Sequence, residues 1–360
     1  MNVVLDFSHL RYPAAAGGWE YARGLLAGLE RVDLEGINVR CPIRAGLPPL
    51  EVPESFKVIP LHSRGYASRL ESAYFVRRAS PDVVHWLGSY RLPGSGKTPS
   101  LVLINDFNYA MYPSLGYPLS PLGRLAGAMI DWQLSKATEI IVYADSVADQ
   151  VHQRRPQASV TVNPPGPGRV VLFAAAPSTL PVDDLGDRPF ILIVGNNARH
   201  KRFEMLTEAF SQSSLPEAGY LLVHAGLGLE GSGASVRTLG RVDEPSLSWL
   251  LERASALAMP SCHEGFGMPV LEAATFGVPT LVSPNVPAAA SASELSEVTV
   301  ISDGDWVDAL SSLQRSPRIH VRTLDERSEI FTRLWTEHAS VVTRTWRRIG
   351  GGRGAYASSN

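Results

Sequence analysis

The sequence has little cysteine, little net charge and no long apolar run, and each shortage narrows what the chain can be. Only Cys41 and Cys262 occur in 360 residues. Two thiols so far apart build no disulfide framework, and they fit a reducing cytoplasm better than a secreted domain. They also supply no cysteine-based metal cluster, and no metal site is expected. A formal net charge of −2 gives no general reason to expect nucleic acid or an anionic membrane as the main partner. No apolar stretch approaches the roughly 18–20 residues of a membrane span. Met1 to Leu10 carries Asp6 and His9 and lacks a basic region followed by an apolar run, so no signal peptide is expected. A peripheral contact at the inner membrane face stays compatible with all of this. What is present is the composition of a soluble globular protein, with 44% hydrophobic and 19% charged residues. The length exceeds what one hydrophobic core serves, so two domains are expected.

Short runs rich in Val and Ile recur along the first half: Asn2 to Phe7, Val58 to Leu61, Val83 to Leu87, Leu101 to Ile104 and Ile140 to Val142. Each is bounded by Pro, Gly or Asp, the pattern of buried parallel strands. Gly17 and Gly18 read as a loop ahead of a helix from about Trp19 to Arg31. A second helix is expected over Leu122 to Lys136, where Leu125, Met129 and Trp132 recur at helical spacing. The stretch Pro164 to Gly168, and then Ala174 to Pro189, is rich in Pro, Gly and Asp and marks a boundary. A second strand–helix series begins at Phe190 to Gly195 and runs through Ala256 to Met259 and Thr280 to Val282. Alternation in both halves predicts an α/β chain with two doubly wound, Rossmann-like domains. We set these at 1–178 and 179–323, followed by a helix over 324–348 packing back on the first domain and a flexible tail over 349–360.

Three motifs resemble chemistry and read better as structure. Pro93-Gly94-Ser95-Gly96-Lys97-Thr98 lacks the first glycine of a phosphate-binding P-loop, since Arg91 stands there, and Pro99 and a strand follow it. Gly226-Leu227-Gly228-Leu229-Glu230-Gly231 has dinucleotide-fingerprint spacing but precedes another strand rather than a helix. Asp303-Gly304-Asp305 precedes a helix starting at Trp306 and is expected to cap it.

The most informative segment runs from Ser261 to Glu272. Met259-Pro260-Ser261 ends a strand, Glu264-Gly265-Phe266-Gly267 forms a glycine loop, and Pro269 suits the first turn of a helix. The free N–H groups and positive end of that helix attract a phosphate. Gly265 and Gly267 let a ligand approach the backbone. Glu264 and Glu272 are acceptor-only carboxylates, suited to hydroxyls on either side of that phosphate. A nucleotide sugar has this form.

The segment resembles the E-x7-E signature of retaining glycosyltransferases of GT-B architecture, especially family 4. Ile191 to Gly195 with His200-Lys201-Arg202, Thr238 to Val242, and Ala254 to Ser261 fall in that family's order. Asp82 to His85 and Asn163 to Gly166 match its landmarks more loosely. The resemblance implies two domains facing each other across a cleft, the donor held by the second and the acceptor by the first. It implies retention of anomeric configuration, no metal and no cofactor beyond a GDP- or UDP-sugar donor. On that basis Lys201 neutralises the departing diphosphate and Glu264 contacts the transferred sugar. The amides of Gly265, Phe266, Gly267 and Met268 hold sugar and phosphate, and Glu272 binds the ribose. Gly17 and Gly18 either let the backbone approach the diphosphate or form a plain turn.

The chain departs from the family at two places. Relatives carry His-Asp after the strand written here Leu101 to Ile104, where this chain has Asn105-Asp106. Asn cannot act as a general base, though its amide can position a sugar hydroxyl. The arginine that some relatives carry after the glycine of the first C-terminal strand is Asn196 here, with Arg199 close enough in sequence to take its place. The expected function is a hexosyltransferase, mannose preferred, acting on a glycan, glycolipid or small-molecule acceptor. The alternatives are a donor-binding homologue weakened at Asn105 and a sugar-nucleotide epimerase of the same fold. The loops Leu92 to Pro99 and Tyr109 to Pro121, rich in Tyr and Pro, suit an acceptor surface or aromatic packing alike.

Overall fold

Continuous buried runs become the centres of two parallel sheets, because a strand covered by helices on both faces has no polar side to show. The computed structural model describes residues 1–10, 16–64, 67–88, 98–107, 121–177, 180, 185–228, 233–313 and 321–356. The chain divides into two compact units, Met1–Gly166 with Thr332–Asn360, and Pro167–Phe331. The division falls at Gly166, inside the Pro/Gly run that opens the boundary stretch and ahead of the position 178 read from the sequence.

The first unit contains β1 (Asn2–Asp6), α1 (Ala16–Leu29), β2 (Asn38–Arg44), β3 (Lys57–Leu61), α2 (Ala67–Ala79), β4 (Val83–Trp86) and β5 (Ser100–Ile104). It continues with α3 (Pro121–Lys136), β6 (Glu139–Val142), α4 (Asp145–Arg154) and β7 (Val160–Val162). The seven strands are ordered β3-β2-β1-β4-β5-β6-β7, and every pairing is parallel. β4, β5 and β6 are buried at every position. β2 was hidden from the sequence pattern by Pro42. That residue lies beyond the β1 ladder, which pairs Asn2 to Val4 with Asn38 to Arg40, so its missing N–H breaks no bond there.

Gly17 and Gly18 sit in the first turn of α1, not in a loop before a helix at Trp19. Neither has positive φ, so the helical backbone accommodates both without needing glycine's freedom.

The second unit runs β8 (Phe190–Val194), α5 (Phe203–Gln212), β9 (Leu221–Ala225), β10 (Val236–Thr238), α6 (Glu244–Arg253) and β11 (Ala256–Met259). Then follow α7 (Met268–Phe276), β12 (Thr280–Val282), α8 (Ala288–Ser293), β13 (Val298–Val300) and α9 (Trp306–Ser312). The strand order is β10-β9-β8-β11-β12-β13, all parallel. In both sheets the order reverses once, between β1 and β4 and between β8 and β11. Loops leaving the carboxyl ends of the two strands at such a reversal diverge to opposite faces and leave a crevice between them.

The last helix, α10 (Leu324–Tyr356), starts in the second unit and ends in the first. A reciprocal box opens it: Thr323 N donates to Glu326 Oε2 at 2.7 Å and Glu326 N to Thr323 Oγ1 at 3.3 Å. Within the first unit Trp335, His338, Ala339, Val342 and Trp346 form its buried face. A Cβ on Gly24 would lie 2.0 Å from the Trp335 ring, and one on Gly28 2.2 Å from the Trp335 carbonyl oxygen. These two glycines of α1 therefore make the groove in which α10 lies. The helix continues through the stretch expected as a flexible tail from 349, as far as Tyr356. Among the described residues no helix is long and apolar enough to cross a membrane.

His85 and His338 are the histidines of this core. His338 Nδ1 lies 2.9 Å from the Pro164 carbonyl and so carries the proton, which leaves Nε2 to accept from Tyr21 Oη at 3.0 Å. His85 is fully buried edge-on to Trp346, and neither of its ring nitrogens has a hydrogen-bond partner among the described residues.

Candidate functional site

The reversal between β8 and β11 brings together the two loops that the sequence singled out. After β8 the chain passes Gly195 and makes a single 3-10 turn, Arg199–Lys201. After β11 it passes Ser261 to Gly267 and enters α7. Cys262 N donates to His200 O at 2.8 Å, which pins one loop to the other. The result is a direct contact across 63 residues of sequence: Lys201 Nζ lies 2.8 Å from Glu264 Oε1. Both side chains are largely screened, at 15% and 12% exposure, so their attraction is stronger than that of a surface pair.

Ser261 Oγ donates to the same Glu264 oxygen at 2.8 Å. Sequence reading assigned no role to Ser261. The signal was there, because Ser-x-x-Glu is the spacing at which a hydroxyl and a carboxylate meet around a turn. Glu264 N is bonded to Asn285 O at 3.2 Å, so the carboxylate is held from both its ends.

Gly267 is the N-cap of α7, with φ 105° and ψ 51° and no side-chain cap. A Cβ there would meet Val286 Cγ1 at 2.8 Å, so left-handed backbone and crowding both require glycine. No side chain caps this helix start, which leaves it suited to an anion. Pro269 occupies the first turn as expected. Gly265, Phe266 and Gly267 are buried and Met268 is half-buried. Phe266 packs as a core residue, and its carbonyl accepts from Ala288 N at 2.9 Å. Glu272 lies beyond the first turn in which it was expected, and it is buried.

The neighbouring glycine motif has a structural explanation. A Cβ on Gly226 would fall 1.7 Å from Gly195 O, and His224 Nε2 lies 2.8 Å from the same oxygen. Gly195 in turn lies under Lys201, whose Cδ would be 3.4 Å from an added Cβ. The Gly-x-Gly after β9 thus lets two loops stack beneath Lys201; residues 229–232 lie outside the described residues. Arg199 is exposed on the turn.

Asp303-Gly304-Asp305 corrects an expectation. Asp305 occupies the N-cap position of α9 but makes no side-chain cap bond, and Asp303 instead pairs with Arg202. A guanidinium offers a charge-assisted bond that outcompetes a neutral backbone amide.

In the first unit Asn105 and Asp106 follow β5. Asn105 Oδ1 is buried without a hydrogen-bond partner among the described residues. Residues 91–97 and 108–120, which hold most of the P-loop-like segment and the two aromatic loops, lie outside the described residues. β5 begins at Ser100, directly after Pro99, so no helix start follows Thr98.

Comparison with known proteins agrees with this geometry. Residues 182–311 match the family model described as glycosyl transferases group 1. The chain is 36% identical over 81 residues to an O-antigen chain mannosyltransferase B of Escherichia coli, covering 21% of this chain and 19% of that protein. It is 26% identical over 242 residues to a glycogen synthase of Mycobacterium tuberculosis, covering 60% of this chain and 55% of that one. The chain thus spans about a fifth and about half of the lengths of these curated relatives. A sucrose-phosphate synthase structure from Thermosynechococcus elongatus superposes with a TM-score of 0.68 at 18% identity, covering 98% of this chain and 100% of that one. The fold is the GT-B α/β architecture, and the resemblance to group 1 glycosyltransferases holds.

Proposed function

We propose that the chain is a retaining glycosyltransferase of the family 4 type, transferring a hexose from a nucleotide-diphosphate sugar to a glycan, glycolipid or small-molecule acceptor. The observation that carries this reading is the Lys201–Glu264 contact at 2.8 Å, formed by the two loops at the strand reversal next to the uncapped start of α7. A cation, a carboxylate and a helix N-terminus in one place match the three parts of such a donor: leaving diphosphate, sugar hydroxyls and bridging phosphate.

In the reaction, the bond from the anomeric carbon to the phosphate oxygen breaks and one to the acceptor oxygen forms on the same face. The acceptor proton passes to the leaving phosphate oxygen. Lys201 stabilises the charge that develops on the diphosphate, without a metal. Glu264, held by Ser261, accepts from hydroxyls of the transferred sugar. The amides of Gly265 to Met268 hold the phosphate, Glu272 accepts from the ribose, and Gly17, Gly18 and Arg199 contribute to the diphosphate. Asn105 is a positioning group beside Asp106, and its orphan carbonyl oxygen suits a sugar hydroxyl. A mannosyl donor is preferred, on the similarity of the motif-bearing half to a mannosyltransferase.

A panel of GDP- and UDP-sugars tested by thermal shift checks the donor. At about 100 times the dissociation constant the right donor adds about 2.7 kcal/mol, which raises the melting temperature of its unit by about 5 °C or more. If no nucleotide sugar moves the midpoint, the donor assignment fails.

A further inference from the structure

Beside the motif loop, the second unit holds a hollow of about 300 Å³, lined by Arg202, Cys262, Ser283, Asn285, Ser302 and Asp303 among others. Its size is at the lower end for a small-molecule site. Neither Lys201 nor Glu264 lines it. It opens at the carboxyl ends of β11, β12 and β13, where the loops after these strands meet the start of α5.

Two features of its wall have no structural purpose of their own. Arg202 adopts φ 52° and ψ 36°, the left-handed region, at the N-cap of α5, and makes no cap bond there. A side chain in that conformation costs on the order of 1 kcal/mol that glycine would not incur. The strain holds the guanidinium against Asp303 and beside the Cys262 thiol. Ser283 is 2% exposed, and its Oγ has no hydrogen-bond partner among the described residues. An orphan hydroxyl at the wall of a hollow is destabilising unless a ligand meets it.

The lining chemistry narrows the ligand. Arg202 and Asp303 neutralise each other, so an anion would have to displace Asp303 and a cation Arg202. The remaining groups are two hydroxyls, a thiol and the Asn285 amide, which offer donors and acceptors in mixed array. We propose that this hollow is a binding site for a neutral, hydroxyl-rich molecule of monosaccharide size, separate from the Lys201–Glu264 site. The site does not depend on the transferase reading. It does adjoin that machinery, since Asn285 Nδ2 donates to Cys262 O at 3.1 Å and Asn285 O accepts from Glu264 N at 3.2 Å.

The two cysteines provide the test. Cys41 is fully buried and Cys262 is partly exposed in the wall of the hollow, so iodoacetamide labels Cys262 in the folded protein. The rate of Cys262 alkylation is followed by peptide mass spectrometry with D-mannose or maltotriose at about 50 mM, well above a dissociation constant on the order of 1 mM for a few polar contacts. Either sugar should slow labelling about tenfold or more. Protection by the trisaccharide at lower concentration assigns the site to a glycan end, and protection by the monosaccharide at lower concentration to a free sugar.

Arg202→Gly and Ser283→Val should each abolish the protection, whereas Glu264→Gln should keep it. Both site variants should melt no lower than wild type, because one relieves left-handed strain and the other removes an orphan hydroxyl. No slowing by either sugar, equal slowing in both site variants, or loss of slowing in Glu264→Gln would overturn the proposal.

Discussion

Acidifying from pH about 7 to about 4.5 removes about 5 kcal/mol of stability from the first unit. Burial pushes His85 down to about 3, with the nearby His338 adding to the shift. Burial also pushes His338 down to about 4, against the opposing pull of the Pro164 carbonyl. The ordinary value for both is 6.5, so below that pH the unfolded chain takes up protons that the folded core refuses. Stability is therefore full above about 6.5 and falls by about 1.4 kcal/mol per histidine per pH unit, down to the folded values. Over two units that is about 2.7 kcal/mol each.

Asp6 works in the opposite sense, because burial raises its value and protonation on acidification favours the fold. The net loss is still a large share of the roughly 5–15 kcal/mol that holds a domain together. Calorimetric midpoints across this pH range check it. His85→Phe should flatten the slope by about half, since a phenyl ring fills the site and takes up no proton. A midpoint that does not move with pH would show that neither ring stays neutral for the reason given.

Lys201→Ala should lower turnover by about 10²–10³, the range expected when one preorganised donor is removed from a developing negative charge. Glu264 keeps its Ser261 bond in that variant, so the loop retains its shape and the loss reports on chemistry. Glu264→Gln keeps size and one acceptor, and should cost less, about tenfold to a hundredfold. Because the two side chains touch, the double variant should lose far less than the product of the singles. Rates within about twofold of wild type for Lys201→Ala would remove it from the mechanism.

Much of this was legible in the sequence because the central strands of parallel sheets are continuous apolar runs. Ala256 to Met259 and Thr280 to Val282 coincide with β11 and β12. Edge strands were not legible in the same way: β2 carries Pro42, and β13 is largely exposed. Around the candidate site, Glu264, Gly267 and Lys201 were each suggested by local pattern. Their meeting was not, because it depends on the strand order that sets β8 beside β11. Asp303 shows the converse limit. Its partner Arg202 lies 101 residues away, and no local spacing could have set that pairing against a cap. Gly24 and Gly28 likewise have no meaning until α10 returns across α1.

Hydrogen exchange with and without the nucleotide sugar selected by thermal shift tests the central claim most directly. Donor held by the second unit should slow exchange in peptides covering Gly195 to Arg202 and Ser261 to Phe276, with the backbone amides of Gly265 to Val270 protected most. Binding that leaves those peptides unchanged while protecting others would contradict the assignment of the donor grip to Glu264 through Glu272.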